Sequence, residues 1–180
     1  MSAWVIQDGN YPDFSVGQRA EFALEFSVVE QLRPGGGPAV PVSLGAAWYE
    51  IPATVTTVRE EAWVIDFGIQ AYDESPPAPD IEVGIGVAGT VYLGVDPFAY
   101  FERLAQLRGM PPLVYTWDII TIRRMLGPHA LDASGAREPL PFEQLARTDG
   151  WHDDNDGVAE YVFDCQLVDV PPKRWSSTST

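Results

Sequence analysis

Residues 81–96, IEVGIGVAGTVYLGVD, restrict the possible folds more than any other stretch of the chain. Every odd position from Val83 to Val95 is apolar or glycine: Val83, Ile85, Val87, Gly89, Val91, Leu93 and Val95. Between them stand Glu82, Gly84, Gly86, Ala88, Thr90, Tyr92, Gly94 and Asp96. A period of two held this long predicts a strand with one face on a core. Glycines on the other face remove side chains where a strand coils hard or another backbone comes close. The expectation is a long, bent strand in a small barrel or a strongly coiled sheet.

The same glycines match two nucleotide motifs. Gly84, Gly86 and Gly89 satisfy G-x-G-x-x-G, and with Val91 the glycine-loop pattern of protein kinases. A dinucleotide site needs a helix to open at the glycines so that its N-terminus meets the pyrophosphate. Here the alternation runs straight through them. A kinase needs a lysine on a following strand, and the chain's one lysine is Lys173. The glycines therefore read as curvature.

Further strands are expected on both sides. Residues 4–7 fit a short first strand. In 20–28, Phe22, Leu24, Phe26 and Val28 alternate with Glu21, Ala23, Glu25 and Ser27, a half-buried strand. Residues 32–41, LRPGGGPAVP, have no period and read as a surface loop. Residues 46–58 and 62–72 predict a second and third strand around a hairpin at Arg59-Glu60-Glu61; Trp63, Ile65, Phe67 and Ile69 share one face. SPPAPD at 75–80 is a proline-rich connection. Strands that follow one another without helices favour antiparallel neighbours.

Asp96-Pro97 predicts a helix over 97–108. Asp is a favoured N-cap, worth roughly 1 kcal/mol over Ala, and Pro suits the first helical position. Phe98, Phe101, Leu104 and Ala105 fall on one face, and Gly109 supplies the stop. Residues 113–124 and 159–168 predict further strands, the last with Tyr161, Phe163, Cys165 and Leu167 on the core face; 142–147 fits a short helix. The expected fold is mainly β: a small, strongly coiled antiparallel barrel of about six to seven strands with one capped helix at 97–108. Residues 1–170 form the domain and 171–180 a flexible tail. The order of strands, one capped helix, then more strands resembles an OB-like or related small barrel, a resemblance that carries no activity with it.

Charge bears most directly on function. Eleven basic and twenty-six acidic residues leave a net charge of −15. Nucleic-acid binders gain affinity by replacing counterions with Lys and Arg, so this chain would repel phosphates; neither nucleic acid nor an anionic membrane is an expected partner. No apolar run is long enough to span a bilayer, and the opening MSAWVIQDGNYPD lacks the features of a secretory signal. The single cysteine, Cys165, rules out an intrachain disulfide and fits a reducing cytoplasm.

Candidate site residues are few. Asp149, Asp153, Asp154, Asp156 and His152 crowd one short loop, DGWHDDNDG. Carboxylates this close raise each other's pKa unless a cation intervenes, which makes Asp149, Asp153, Asp154 and Asp156 the candidates for Ca²⁺ or Mg²⁺. The alternative is a solvated turn at Asn155-Asp156-Gly157. As an EF-hand the loop fails, because Phe163 falls where the bidentate Glu belongs. Trp151, His152, Asp153, Asp154 and Asp156 are the candidate contact surface, with Trp151 the tryptophan expected to be exposed; Trp48, Trp63 and Trp117 read as core. His129 and Ser134 read as loop residues, and Cys165 as an inert core thiol. Asp66 and Asp96, on faces opposite the core, would form a catalytic pair only if their strands were adjacent.

With no catalytic constellation and no expected cofactor, the sequence reads as a non-catalytic acidic binding protein docking a basic partner. An immunity-type inhibitor of a basic toxin or nuclease is one concrete version. The alternatives are a metal-dependent enzyme or small-molecule-binding barrel using clustered carboxylates, and a self-assembling scaffold.

Overall fold

A computed structural model of the chain describes residues 1–126, 141–151, 153–154 and 157–174. Strands hold 47% of the chain and helix 7%, which places it in the mainly-β class the alternation predicts. The elements in order are α1 (Trp4–Gln7), β1 (Arg19–Phe22), β2 (Leu24–Val28), β3 (Arg33–Pro34), β4 (Val42–Gly45), β5 (Trp48–Val58), β6 (Trp63–Asp66), β7 (Gln70–Asp73), β8 (Gly86–Val95), α2 (Ala99–Glu102), a 3₁₀ turn (Leu104–Gln106), β9 (Tyr115–Met125), β10 (Phe142–Leu145), β11 (Asp153–Asp154), β12 (Gly157–Val158) and β13 (Tyr161–Leu167). They fall into two compact units: Met1–Glu21 with Thr116–Asp169, and Phe22–Tyr115 with Val170–Thr180. Among the described residues no helix is long and apolar enough to cross a membrane.

The second unit is a closed five-stranded barrel with extra strands. Its ring runs β8–β2–β7–β6–β5 and returns to β8. All neighbours are antiparallel except β2 and β7, which meet in parallel at Glu25 and Tyr72. Closure depends on the two long strands. One stretch of β8, Gly86–Tyr92, pairs with β5, while Val91–Val95 pairs with β2 and Val87–Ala88 with β3. Each long strand thus serves several partners along its length, which closes the sheet and removes all but short edges. Phe26, Ile51, Val55, Trp63, Ile65, Val87 and Val91 fill the interior with Leu32 and Ile81. Phe26 and Trp63 meet edge to face, ring centroids 4.9 Å apart.

The glycine-rich stretch is barrel wall. β8 passes through Gly86 and Gly89 as strand, and the next helix opens only at Ala99. A Cβ on Gly89 would sit 2.8 Å from Leu32 Cδ2 and 3.4 Å from Leu32 Cα. Glycine here lets the Leu32 segment lie across the strand, the close approach that β-strand glycines permit. The regular alternation begins at Gly86; Val83, upstream, is 59% exposed in a loop.

Several local expectations are corrected. Residues 20–28 form two strands with the buried Ala23 between them, and the unit boundary falls at Glu21/Phe22. The single strand expected over 62–72 folds back on itself as the β6–β7 hairpin, because Gly68 takes φ 104° and Asp66 Oδ1 accepts its N–H at 2.9 Å. The surface loop 32–41 contributes β3 to the sheet and buries Leu32. Residues 4–7 are helical; Ala3 O accepts from Ile6 and Gln7, and four residues are too few for periodicity to separate helix from strand. Phe98 adopts a left-handed conformation (φ 86°), so the capped helix starts at Ala99 and is shorter than 97–108. The hairpin at Arg59 is present, with Arg59 N–H donating to Ala62 O at 2.8 Å.

In the first unit, β9 is the central strand, pairing with β1, β10 and, along its length, β13. The short helix expected over 142–147 is strand β10. Its Glu143 faces Arg124 across the ladder and accepts from Nη2 at 2.5 Å, a cross-strand pair that a helix would not provide. Of the residues expected as a free tail, Lys173 exchanges backbone hydrogen bonds with Val114, and Arg174 donates to the carbonyls of Ala105 and Met110. Residues 175–180 lie outside the described residues.

Candidate functional site

Two features of the barrel unit carry chemistry. The first is the carboxylate at the end of β8. Asp96 was expected on a solvent face; it is fully buried, because the chain turns inward after Val95 and the Asp96 N–H donates to Ala23 O at 3.0 Å. Its Oδ1 accepts from the Tyr72 hydroxyl and from the Tyr100 backbone N–H at 3.2 Å, so it does cap α2. Oδ2 has no hydrogen-bond partner among the described residues. Burial pushes the carboxyl up to about 6, while Tyr72 and the backbone N–H groups of Tyr100, Phe98 and Ala99 hold it from rising further. The Tyr72 phenol is pushed far up by burial and by Asp96.

Tyr100 continues the network: its hydroxyl donates to Pro111 O at 2.7 Å and accepts from Leu113 N–H at 3.0 Å. Glu25, paired with Tyr72 in the ladder, is pushed up to about 7 by burial and by the negative charges of Glu74, Asp96 and Asp73. With no exposed surface, Asp96 cannot meet a substrate. The network joins the barrel to the segment after it.

The second feature is an open cleft of about 350 Å³ beside β2. Leu32, Trp63 and Ile81 supply buried apolar surface, and Pro76 and Pro77 contribute the proline-rich connection to its lining. Trp63 is 2% exposed, and its indole Nε1–H has no acceptor among the described residues. A buried unpaired donor costs roughly 1–3 kcal/mol. Asp73 supplies the cleft's one charged side chain. Its Oδ1 accepts from Ser75 N–H at 2.7 Å and from Ser75 Oγ at 2.5 Å.

The residues singled out from the sequence are dispersed. Asp66 closes the β6–β7 turn, its Oδ1 on Gly68 and its Oδ2 accepting from Gln70 Nε2 at 3.3 Å. It has a turn to hold while Asp96 has a helix to cap, and no hydrogen bond or shared partner joins the two. In the acidic loop, Asp149 Oδ1 accepts from Trp151 N–H at 3.0 Å, and Tyr161 donates its hydroxyl to Asp149 O at 2.6 Å. Trp151 is 75% exposed.

The backbones of Asp153 and Asp154 pair antiparallel with Val158 and Gly157. His152, Asn155 and Asp156 lie outside the described residues, as do His129, Ser134 and Trp175. Among the described residues no group of three or more His, Cys, Asp or Glu side chains is placed to hold a metal ion. Cys165 is half-buried, and burial pushes its thiol up to about 12. Trp63 and Trp117 are core, and Trp48 is half-buried beside Tyr92.

The cleft escaped sequence reasoning, although one signal pointed to its surroundings. Between Arg59 and Arg103 there is no basic residue, while Glu60, Glu61, Asp66, Asp73, Glu74, Asp80, Glu82, Asp96 and Glu102 all fall there. That stretch builds β6, β7 and β8 and part of the cleft wall. Comparison with protein-family models, with curated proteins and with solved structures finds no match.

Proposed function

We propose that this protein is a non-catalytic acidic binding module that docks a basic partner protein. The observation that carries the reading is the net charge of −15 together with the unbroken acidic run over 60–102, which supplies three strands of a closed barrel. Fields of this kind steer oppositely charged proteins together and raise the association rate more than the final affinity. They also disfavour phosphate-bearing partners. An inhibitor of the immunity type, covering a basic toxin or nuclease, is the concrete form of this proposal.

The test is capture from the native lysate at ~50 mM and ~500 mM salt, followed by reconstitution of the complex from purified components. A basic protein recovered at low salt, whose association rate with the purified chain falls at least about tenfold at high salt, supports the proposal. Recovery of no basic protein, or a complex indifferent to salt, removes it.

A further inference from the structure

We infer that the cleft beside β2 seats an extended segment of the partner carrying an arginine or lysine. A backbone carbonyl of that segment accepts from Trp63 Nε1, and its cation meets Asp73. The inference rests on the docking function and names where and by what chemistry the partner is held. Three observations converge. Trp63 lines the cleft and carries a buried donor that nothing among the described residues satisfies; a peptide carbonyl is the acceptor every polypeptide brings. Asp73 is the one charge in the lining, and no basic side chain stands beside it. Ser75 occupies its Oδ1, which leaves Oδ2 to receive an ammonium or guanidinium group.

The remaining surface, from Leu32, Ile81 and the two prolines, suits the aliphatic stem of a long basic side chain. The cleft is an open trough of about 350 Å³, with room for a short stretch of chain whose ends continue into solvent. An acidic segment would place like charge against Asp73 and is excluded by the same geometry.

The experiment titrates the full chain, isotopically labelled, with acetyl-Gly-Arg-Gly-amide and separately with acetyl-Gly-Glu-Gly-amide, following the assigned indole N–H resonance of Trp63. Short peptides of this size bind at about millimolar strength. The arginine peptide is expected to move the Trp63 resonance downfield to saturation, and the glutamate peptide to leave it in place. Asp73→Asn, which keeps an acceptor for Ser75, should weaken the arginine peptide about tenfold. Trp63→Phe is the less secure variant because the indole packs on Phe26, so Asp73→Asn carries the mutational arm.

A Trp63 resonance unmoved by the arginine peptide, or moved equally by both, overturns the inference. So does a reconstituted basic partner that binds while Trp63 stays undisturbed, an outcome that leaves the docking function standing. A responsive cleft with no basic partner in the lysate does the reverse.

Discussion

The Tyr72 hydroxyl donates to Oδ1 of Asp96, tying the last residue before the helical segment to the strand that closes the barrel in parallel with β2. Both residues are fully buried. Tyr72→Phe removes one of the two donors to that oxygen and leaves a buried carboxylate less well satisfied. Urea denaturation should show a loss of roughly 1–3 kcal/mol, and the Asp96 carboxyl, followed by NMR, should titrate above its present value of about 6. An unchanged midpoint would mean that the hydroxyl contributes nothing there.

Glu25 and Asp96 both hold protons more tightly in the folded state than in the unfolded one. Folding stability is therefore greatest below about 4 and falls as pH rises through about 6 for Asp96 and about 7 for Glu25. Glu25→Gln should flatten that decline between pH 5 and 8 and stabilise the protein by about 1–2 kcal/mol at pH 8, after discounting for screening. Denaturation midpoints collected at constant ionic strength across this range provide the check.

Two glycines of β8 should respond differently to the same substitution. A methyl at Gly89 meets Leu32, whose backbone lies close behind its side chain; at Gly86 nothing lies within 4 Å. Gly89→Ala is expected to cost about 1–3 kcal/mol through displacement of the Leu32 segment. Gly86→Ala should stay within about 0.5 kcal/mol of the parent. Thermal melts of the two variants side by side would expose an equal effect.

The turn joining β4 to β5 places Ala46 and Ala47 at φ 46° and 65°, a conformation that L-alanine adopts at a cost. Two positive φ values in a two-residue hairpin loop are the requirement that Asn-Gly meets. Replacing Ala46-Ala47 by Asn-Gly should raise stability by about 1 kcal/mol or more. A lower melting temperature would show that the turn is held differently.

Burial raises the Cys165 thiol to about 12. At pH 7 its thiolate population is on the order of 10³-fold below that of an exposed cysteine. Reaction with a disulfide reagent should be slow in the native protein and complete within seconds in denaturant. Fast native labelling would place the sulfur in an accessible, polar setting.

Much of the architecture was legible as period. The alternation through Val87, Val91 and Leu93, the hairpin at Arg59 and the strands around Trp117 and Tyr161 are local patterns, because a half-buried strand must place apolar side chains on one face. Where pattern failed, a backbone turn intervened. Gly68 folded one expected strand into two, and Phe98 shortened the helix through a φ that no neighbouring residue announces. The acid balance, too, was a property of the sequence alone. The burial of Asp96 was decided by contacts across the fold, with Ala23 and Tyr72 arriving from distant parts of the chain. The cleft arose in the same way, since residues from β2 to Ile81 share it only after the barrel closes. Periodicity reports which side of a strand faces inward; which strands become neighbours, and what their ends enclose, depends on pairings between residues far apart in the chain.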